Sequence, residues 1–264
     1  MIDAYSAGRA SGLAAGSARD LTARAAAYPD LFPARPFDAT LFTAVSLANA
    51  FGSPDATVAE LRVANRLSLW IFAVDWLIDH RATEPGEVDA IVDECLGGGA
   101  ASPLTAFLGE IREEVADTRG LFEAELARML HAMRREFAWK AAGERPTLEV
   151  YLGNAANFGS TFVNVAHWTR NNVADIPGLL PASDEVQKVL RLLNDLATHH
   201  RDVSWGDLNA LMLGPTPDEV RSHITHLVGT ARKLIGDGPQ AGYLGRQIGY
   251  SSGFYGVADY WGNR

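Results

Sequence analysis

The stretch LRVANRLSLWIFAVDWLIDH, residues 61–80, repeats apolar side chains at intervals of three and four residues. This spacing places the apolar side chains on one face of an α-helix. Three further stretches have the same period, at residues 120–142, 147–168 and 184–202. Alternating polar and apolar runs bounded by turn residues, which are typical of β-hairpins, are hard to find. The sequence therefore predicts an all-α protein.

Segments rich in glycine and proline separate these helical stretches, for example at residues 83–87, 143–147 and 174–183. Thr147, Ser183 and Thr216 follow or lie within such breaks and are predicted N-caps, because their side-chain oxygens can accept hydrogen bonds from the first free N–H groups of a helix. The loops are short and no linker or internal repeat interrupts the chain. We expect about ten helices in a single domain that spans residues 1–264.

The composition, with 47% hydrophobic and 21% charged residues among 264, is that of a folded globular protein. A net charge of −9 without any basic block argues against nucleic acid or an anionic membrane as a partner. A single cysteine, Cys95, excludes an internal disulfide. No apolar stretch approaches the roughly 20 residues that span a bilayer, and the N-terminal segment lacks the apolar run of a secretory signal. A cytoplasmic location is the expectation.

Two aspartates lie near the end of the first helical stretch, directly after apolar residues. Asp75 and Asp79 are four residues apart, so a helix places both carboxylates on one face. Like charges so placed repel each other, and burial beside WIFAV would raise the cost. A divalent cation would reverse the sign of this interaction. Taken alone, the pair is also compatible with an ordinary solvated face.

A second oxygen-bearing stripe occurs in NDLATHHRD, residues 194–202. Asn194, Thr198 and Asp202 follow one another at steps of four, so they share one side of a helix. An amide oxygen, a hydroxyl and a carboxylate are hard ligands of the kind that Mg²⁺ takes. Arg201, beside the last of them, could face an anion held by that metal. Outward-facing polar positions remain an alternative for this stripe as well.

Other chemistries have little support in the sequence. There is no G-x-S-x-G motif, Walker loop or dinucleotide-binding fingerprint. Cys95 lacks an evident base partner and is interpreted as a packing residue. His223 and His226 lack the glutamate and third ligand of a helical zinc motif and are expected on a solvated face. Oxygen ligands on helices are what remains.

Together, the two stripes resemble the metal-binding motifs of class I terpene synthases. Asp75-Trp76-Leu77-Ile78-Asp79 is similar to DDxxD with its second aspartate replaced by Trp76, and residues 194–202 are similar to (N/D)DxxSxxxE with Asp202 in place of the final glutamate. Residues 132–152, 206–211 and 255–264 also resemble family segments, so the resemblance covers residues 60–264. Arg264 corresponds to the arginine of a C-terminal Arg-Tyr pair.

Two positions after the first metal-binding motif are compared with the family pattern, and one departs from it while the other agrees. Many microbial members carry an arginine that senses diphosphate, and this chain has Ala155 at the corresponding position. Phe158-Gly159 matches the point at which the family's helix breaks and exposes its backbone to the substrate. The missing arginine and the altered aspartate motif are more similar to labdane-related diterpene synthases than to typical sesquiterpene cyclases.

The resemblance implies a helical bundle around an apolar pocket, with Mg²⁺ as the cofactor, as three ions together with the substrate diphosphate. Its metal ligands would be Asp75, Asp79, Asn194, Thr198 and Asp202, and its diphosphate-binding residues Arg201 and Arg264. Aromatic side chains would stabilise a carbocation by cation–π contacts. The candidate pocket residues are Phe72, Trp76, Phe158, Gly159, Phe162, Trp168, Tyr255 and Trp261, although core packing is an alternative for each aromatic.

The reaction implied is ionisation of a C20 prenyl diphosphate, geranylgeranyl or a bicyclic copalyl type, followed by termination as a hydrocarbon or an alcohol. One alternative is a sesquiterpene cyclase that acts on farnesyl diphosphate. A trans-prenyltransferase would need a second DDxxD motif, which is not evident. A non-catalytic all-α binding protein, with both acidic stripes on its surface, is the alternative from another class. A homodimer is possible in any of these cases.

Overall fold

Eleven α-helices make up most of the computed structural model, which describes residues 3–98, 102–236 and 239–262. They are α1 (Ala4–Ala25), α2 (Ala39–Gly52), α3 (Val58–Trp76), α4 (Pro85–Asp93), α5 (Pro103–Val115), α6 (Leu121–Ala142), α7 (Leu148–Gly153), α8 (Ser160–Arg170), α9 (Ile176–Trp205), α10 (Pro217–Ile235) and α11 (Pro239–Phe254). No strand occurs in these three ranges, so the predicted all-α class is confirmed. No helix in them is long and apolar enough to cross a membrane.

The helix starts agree with the sequence at two of the three predicted N-caps. Thr147 caps α7 and Thr216 caps α10 with the expected side-chain hydrogen bonds. The prediction for Ser183 is wrong, because α9 begins earlier, after the N-cap Asp175, and Ser183 is buried inside it. Pro181 lies inside α9 without ending it, and its missing N–H removes one intrahelical hydrogen bond.

Helix α3 is the centre of the bundle and contacts α1, α2, α5 and α8. Its apolar face is fully buried, and Leu67, Trp70 and Val74 belong to the largest core cluster. The Nε1 of Trp70 donates a hydrogen bond to the carbonyl of Leu104 at 3.0 Å, which ties α3 to α5. This packing fixes the axis of α3, so the position of its last turn is set by the core rather than by solvent.

A buried polar network aligns α8, α9 and α11. Asn164 Nδ2 on α8 donates to Ser183 Oγ on α9 at 2.9 Å. Asn164 Oδ1 accepts from the Tyr243 hydroxyl and from Gln247 Nε2, both at 2.7 Å and both on α11. Because an unmade hydrogen bond at such buried positions is costly, the network favours one relative placement of the three helices.

The chain breaks sharply before α8, where a 3₁₀ turn (Ala155–Phe158) ends at Gly159. Gly159 has φ of 77°, in the left-handed region. A Cβ at this position would lie 2.8 Å from Ile71 Cδ1 on α3 and 3.0 Å from Met129 Sδ on α6. Both the backbone conformation and the close approach of α3 therefore require glycine here.

We expect Gly159→Ala to lower the free energy of unfolding by about 2–4 kcal/mol, because it combines left-handed strain with overpacking against Ile71. Gly153→Ala is the matched control, since a Cβ there meets nothing within 4 Å. The control should change stability little. Urea unfolding followed by circular dichroism measures both, and equal stability of the two variants would contradict the constraint assigned to Gly159.

Candidate active site

A cavity of about 240 Å³ opens between α2, α3, α6, α8, α9 and α11. Its two ends differ in chemistry. Carboxylates from three helices and one loop gather at one end, and aliphatic and aromatic side chains form most of the remaining wall. The carboxylates that line the cavity are those of Asp75, Asp79, Glu136, Asp195, Asp202 and Asp207.

Asp75 and Asp79 both line the cavity, as the first stripe predicts. Asp75 belongs to the last turn of α3, and Asp79 lies in a π-helical turn (Leu77–Arg81) that continues it. A hydrogen bond joins the two carboxyl groups. Because α3 is anchored in the core, its end cannot rotate these side chains into solvent.

Burial and mutual repulsion make this end of the cavity unfavourable for so many negative charges. Burial raises the pKa of Asp75 to about 7, and the neighbouring Asp207 carboxylate adds to the effect. Burial, followed by repulsion from Asp75, raises the pKa of Asp79 well above its ordinary value. Lys140 partly compensates, with its Nζ 2.5 Å from Asp207 Oδ1. A bound cation would lower the electrostatic cost of all these groups.

The second stripe lies on α9 at the same end of the cavity. Asn194 and Asp202 line the cavity, and Thr198 is buried between them. Asp202 Oδ2 accepts hydrogen bonds from Thr198 Oγ1 at 2.6 Å and from Asn209 Nδ2 at 2.9 Å. Burial raises the pKa of Asp202, while these two hydrogen bonds oppose the shift. The stripe is thus oriented by its own contacts without any ligand.

Arg201 lines the cavity and connects α9 to the C-terminal segment. Its guanidinium stacks over the Trp205 ring at 5.0 Å, and its Nη1 donates a hydrogen bond to the Asp259 carboxylate. Asp259 also accepts from the backbone N–H groups of Trp261 and Gly262, both at 2.9 Å. Arg201 therefore holds the segment after α11 across the cavity mouth. The predicted Arg264 lies outside the described residues.

Sequence reasoning missed a buried charge cluster in the cavity wall between α6 and α9. Arg191 lines the cavity, and its Nη2 donates to Glu136 at 2.7 Å and its Nε to the Tyr151 hydroxyl at 2.6 Å. That hydroxyl in turn donates to Asp195 at 2.9 Å. Burial raises the pKa of Asp195 to about 7, and Arg191 opposes the shift. One signal existed, because Arg191 precedes Asn194 by three residues and so shares its helix face.

Four of the predicted pocket aromatics line the cavity: Phe72, Phe158, Tyr255 and Trp261. Gly159 lines it as well. Trp261 packs edge-on against Phe72 with ring centroids 5.1 Å apart. Sequence reasoning did not identify three further lining aromatics, Trp205, Tyr250 and Tyr260.

The other three predicted aromatics do not line the cavity. Trp76 packs against His80, with ring centroids 4.6 Å apart, at the side of the pocket. Phe162 packs against Phe122, and Trp168 against Tyr243, in the core. Phe162 and Trp168 are buried on faces of α8 that point away from the cavity, so both are core-packing residues.

Residues outside the cavity follow the interpretations made from sequence. Cys95 is completely buried, and burial raises the pKa of its thiol to about 12. His223 and His226 are exposed on α10. Among the described residues, no three His, Cys, Asp or Glu side chains are arranged to hold a metal ion by themselves. Any metal at the cavity mouth would therefore need the Asn194 and Thr198 oxygens or those of a ligand.

Comparisons with known proteins agree with this architecture. Residues 66–213 match the family model described as terpene synthase family 2, C-terminal metal binding. No curated protein sequence gives a significant match.

Several solved structures share the fold. Linalool/nerolidol synthase from Streptomyces clavuligerus superposes with a TM-score of 0.69 at 18% identity, over 92% of this chain and 94% of that chain. 2-Methylisoborneol synthase from Streptomyces coelicolor A3(2) superposes with a TM-score of 0.69 at 17% identity, over 92% of this chain and 90% of that chain. Abietadiene synthase from Abies grandis superposes with a TM-score of 0.69 at 13% identity, over 95% of this chain and 38% of that chain.

The family match covers more than half of the chain and includes both oxygen-bearing stripes. With an all-α bundle that encloses a cavity with an acidic mouth, this protein belongs to terpene synthase family 2 and is a class I terpene synthase.

Proposed function

We propose that this terpene synthase ionises a C20 prenyl diphosphate with the help of Mg²⁺ and releases the rearranged carbocation as a hydrocarbon or an alcohol. The observation that carries the proposal is the meeting of the two oxygen stripes. Asp75 and Asp79 of one stripe and Asn194 and Asp202 of the other line the same end of one aromatic cavity. The binding-protein alternative placed both stripes on the surface, and neither lies there.

The donor set at the cavity mouth fits Mg²⁺. It consists of carboxylate, amide and hydroxyl oxygens, which are hard ligands, and its carboxylates are crowded enough to favour a cation. Asp75 and Asp79 would hold metal from one side, and Asn194, Thr198 and Asp202 from the other. When bound, the metal neutralises negative charge on a diphosphate leaving group. A protein of the same fold has been solved with Mg²⁺ and 2-fluoroneryl diphosphate, which supports this assignment.

Positive side chains near the acidic mouth would bind the diphosphate oxygens. Arg201 lies beside Asp202, and Arg191 lies on the same helix face one turn before Asn194. Arg191 is a candidate for diphosphate sensing, the function of the family arginine that Ala155 replaces. Arg201 is paired with Asp259, so contact with diphosphate would exchange one anionic partner for another.

The rest of the cavity suits a carbocation. Phe72, Tyr260 and Trp261 place ring faces and edges along its wall, and cation–π contacts contribute about 0.5–2 kcal/mol each in a site without water. The C-terminal segment that carries two of these rings also covers the cavity. Ionisation and protection of the cation from solvent would thus be linked through the same segment.

The C20 substrate class rests on two departures from the family pattern, Trp76 within the aspartate motif and Ala155 in place of an arginine. In both features the sequence is more similar to labdane-related diterpene synthases than to typical sesquiterpene cyclases. A sesquiterpene cyclase that acts on farnesyl diphosphate is the second candidate. The three Mg²⁺ ions, the single domain, the cytoplasmic location and the possible homodimer stay predictions from the sequence.

Incubation with geranyl, farnesyl, geranylgeranyl and copalyl diphosphates and Mg²⁺, followed by gas chromatography and mass spectrometry, tests the substrate class. We expect the C20 substrates to give the highest kcat/KM, and EDTA to abolish turnover. A preference for farnesyl diphosphate would favour the second candidate. No product from any of the four would contradict the proposed function.

Mg²⁺ and inorganic diphosphate together should raise the melting temperature of the wild-type protein. Binding at a concentration of 100 times Kd would add about 2.7 kcal/mol to its stability. Asp79→Asn should lose most of this increase. Asp89→Asn, a half-exposed carboxylate on α4, is the matched control and should keep it. An equal increase in melting temperature in all three proteins would contradict the assignment of Asp79 to the metal site.

Asp75→Asn should stabilise the metal-free protein at alkaline pH while it abolishes activity. The folded-state pKa of Asp75 is about 7 against an ordinary value of 3.8, so stability falls as pH rises from about 4 through 7. A neutral amide avoids that loss. Urea unfolding in EDTA should show the variant above wild type at pH 8 and close to it near pH 4. A wild type that is more stable than the variant at pH 8 would contradict this electrostatic account.

A further inference from the structure

A polar patch interrupts the apolar wall of the cavity far from its acidic mouth. Asn49 on α2 and Ser68 on α3 both line the cavity. Ser68 precedes Asp75 by seven residues on the same helix, which places it about 10 Å deeper at 1.5 Å per residue. Neither residue belongs to the metal-binding stripes.

The hydrogen bonds of this patch leave acceptor capacity on the cavity side. Asn49 Nδ2 donates to Asn65 Oδ1 at 2.9 Å and to Ser68 Oγ at 3.3 Å. The Ser68 hydroxyl donates its own proton to the carbonyl of Ala64 at 2.8 Å. Asn49 Oδ1 accepts no hydrogen bond from another described residue, and Ser68 Oγ keeps a second lone pair. Both oxygens can therefore accept from a small donor in the cavity.

Two buried polar atoms next to the patch also lack partners. Asn65 is 1% exposed, and its Nδ2 makes no hydrogen bond with the described part of the chain. Ser46, completely buried one turn before Asn49, has an unpartnered Oγ. Unpaired buried polar groups are rare and costly, and ordered water is a common partner. The interface of α2 and α3 behind the patch thus has the character of a water-binding site.

Two other polar residues of the cavity wall are already committed. Gln247 lines the cavity, but its amide is engaged by Asn164 through both of its polar atoms. Ser160 Oγ donates to Gln187 Oε1 at 3.3 Å. The patch itself carries no charge and no strong base, so it suits a neutral ligand rather than an anion, a metal or the proton of a carbocation.

We propose that Asn49 and Ser68 hold a water molecule that captures the carbocation, so that the main product is a terpene alcohol. The inference rests on the proposed function, since it needs a carbocation in this cavity. The water donates its two protons to Asn49 Oδ1 and Ser68 Oγ, which leaves its lone pairs directed into the cavity. One lone pair forms the C–O bond, and the resulting protonated alcohol transfers its extra proton to diphosphate when it reaches the metal-binding end on its way out of the cavity. No oxidation or reduction takes place.

Turnover in H₂¹⁸O, with products separated by gas chromatography and mass spectrometry, tests the assignment. Wild type should give an alcohol that carries ¹⁸O from the solvent. Asn49→Leu should lower the ratio of alcohol to hydrocarbon by about tenfold, as expected from the loss of one or two hydrogen bonds to the water. Ser68→Ala should lower it in the same direction. Consumption of the diphosphate substrate should continue in both variants, because neither residue lies at the metal-binding end.

Leu190→Val is the matched control, since it changes the shape of the cavity wall without removing a polar atom. It should keep the alcohol fraction near that of wild type. Each of three results would overturn the water site: a hydrocarbon as the main wild-type product, an alcohol without ¹⁸O, or an equal loss of alcohol in the control. A wild type that consumes no substrate would instead overturn the proposed function, so the two failures are distinguishable.

Discussion

The burial of the Asp75 and Asp79 carboxyl groups side by side is the constraint on which the rest of the structure depends. Two carboxylates four residues apart on a partly buried helix end would normally turn toward water. Helix α3 cannot allow this, because Trp70 and its neighbours fix it in the core on several sides. The fold therefore maintains an arrangement that is unfavourable without a cation. That cost is a physical reason to regard this end of the cavity as a metal site.

Helix α9 lies on the other side of this end of the cavity, and its polar side chains are held by hydrogen bonds. Asp202 on this helix accepts hydrogen bonds from Thr198 and Asn209. Arg191, which also lines the cavity, pairs with Glu136 and Asp195 and so ties α9 to α6. One wall is thus crowded with charge and the other is preorganised. A metal ion between them would relieve the first without having to rearrange the second.

The C-terminal segment is tied to α9 and lines the cavity. Asp259 pairs with Arg201 and accepts two backbone hydrogen bonds, so the turn that places Tyr260 and Trp261 over the cavity depends on one carboxylate. The neutral patch at Asn49 lies at the opposite end, where charge is absent.

The sequence by itself determined the helical class, most helix positions and the two oxygen stripes, because the 3.6-residue period and the i, i+4 spacing are local properties. It also indicated Gly159, where a break was expected. It could not decide that Ser183 lies inside a helix, or that Phe162 and Trp168 point into the core. It also could not show that Arg191 and Asn49 line the cavity, since each shares it with residues far away in the chain. Which helix faces meet depends on packing among all of the helices, and only the tertiary structure decided it.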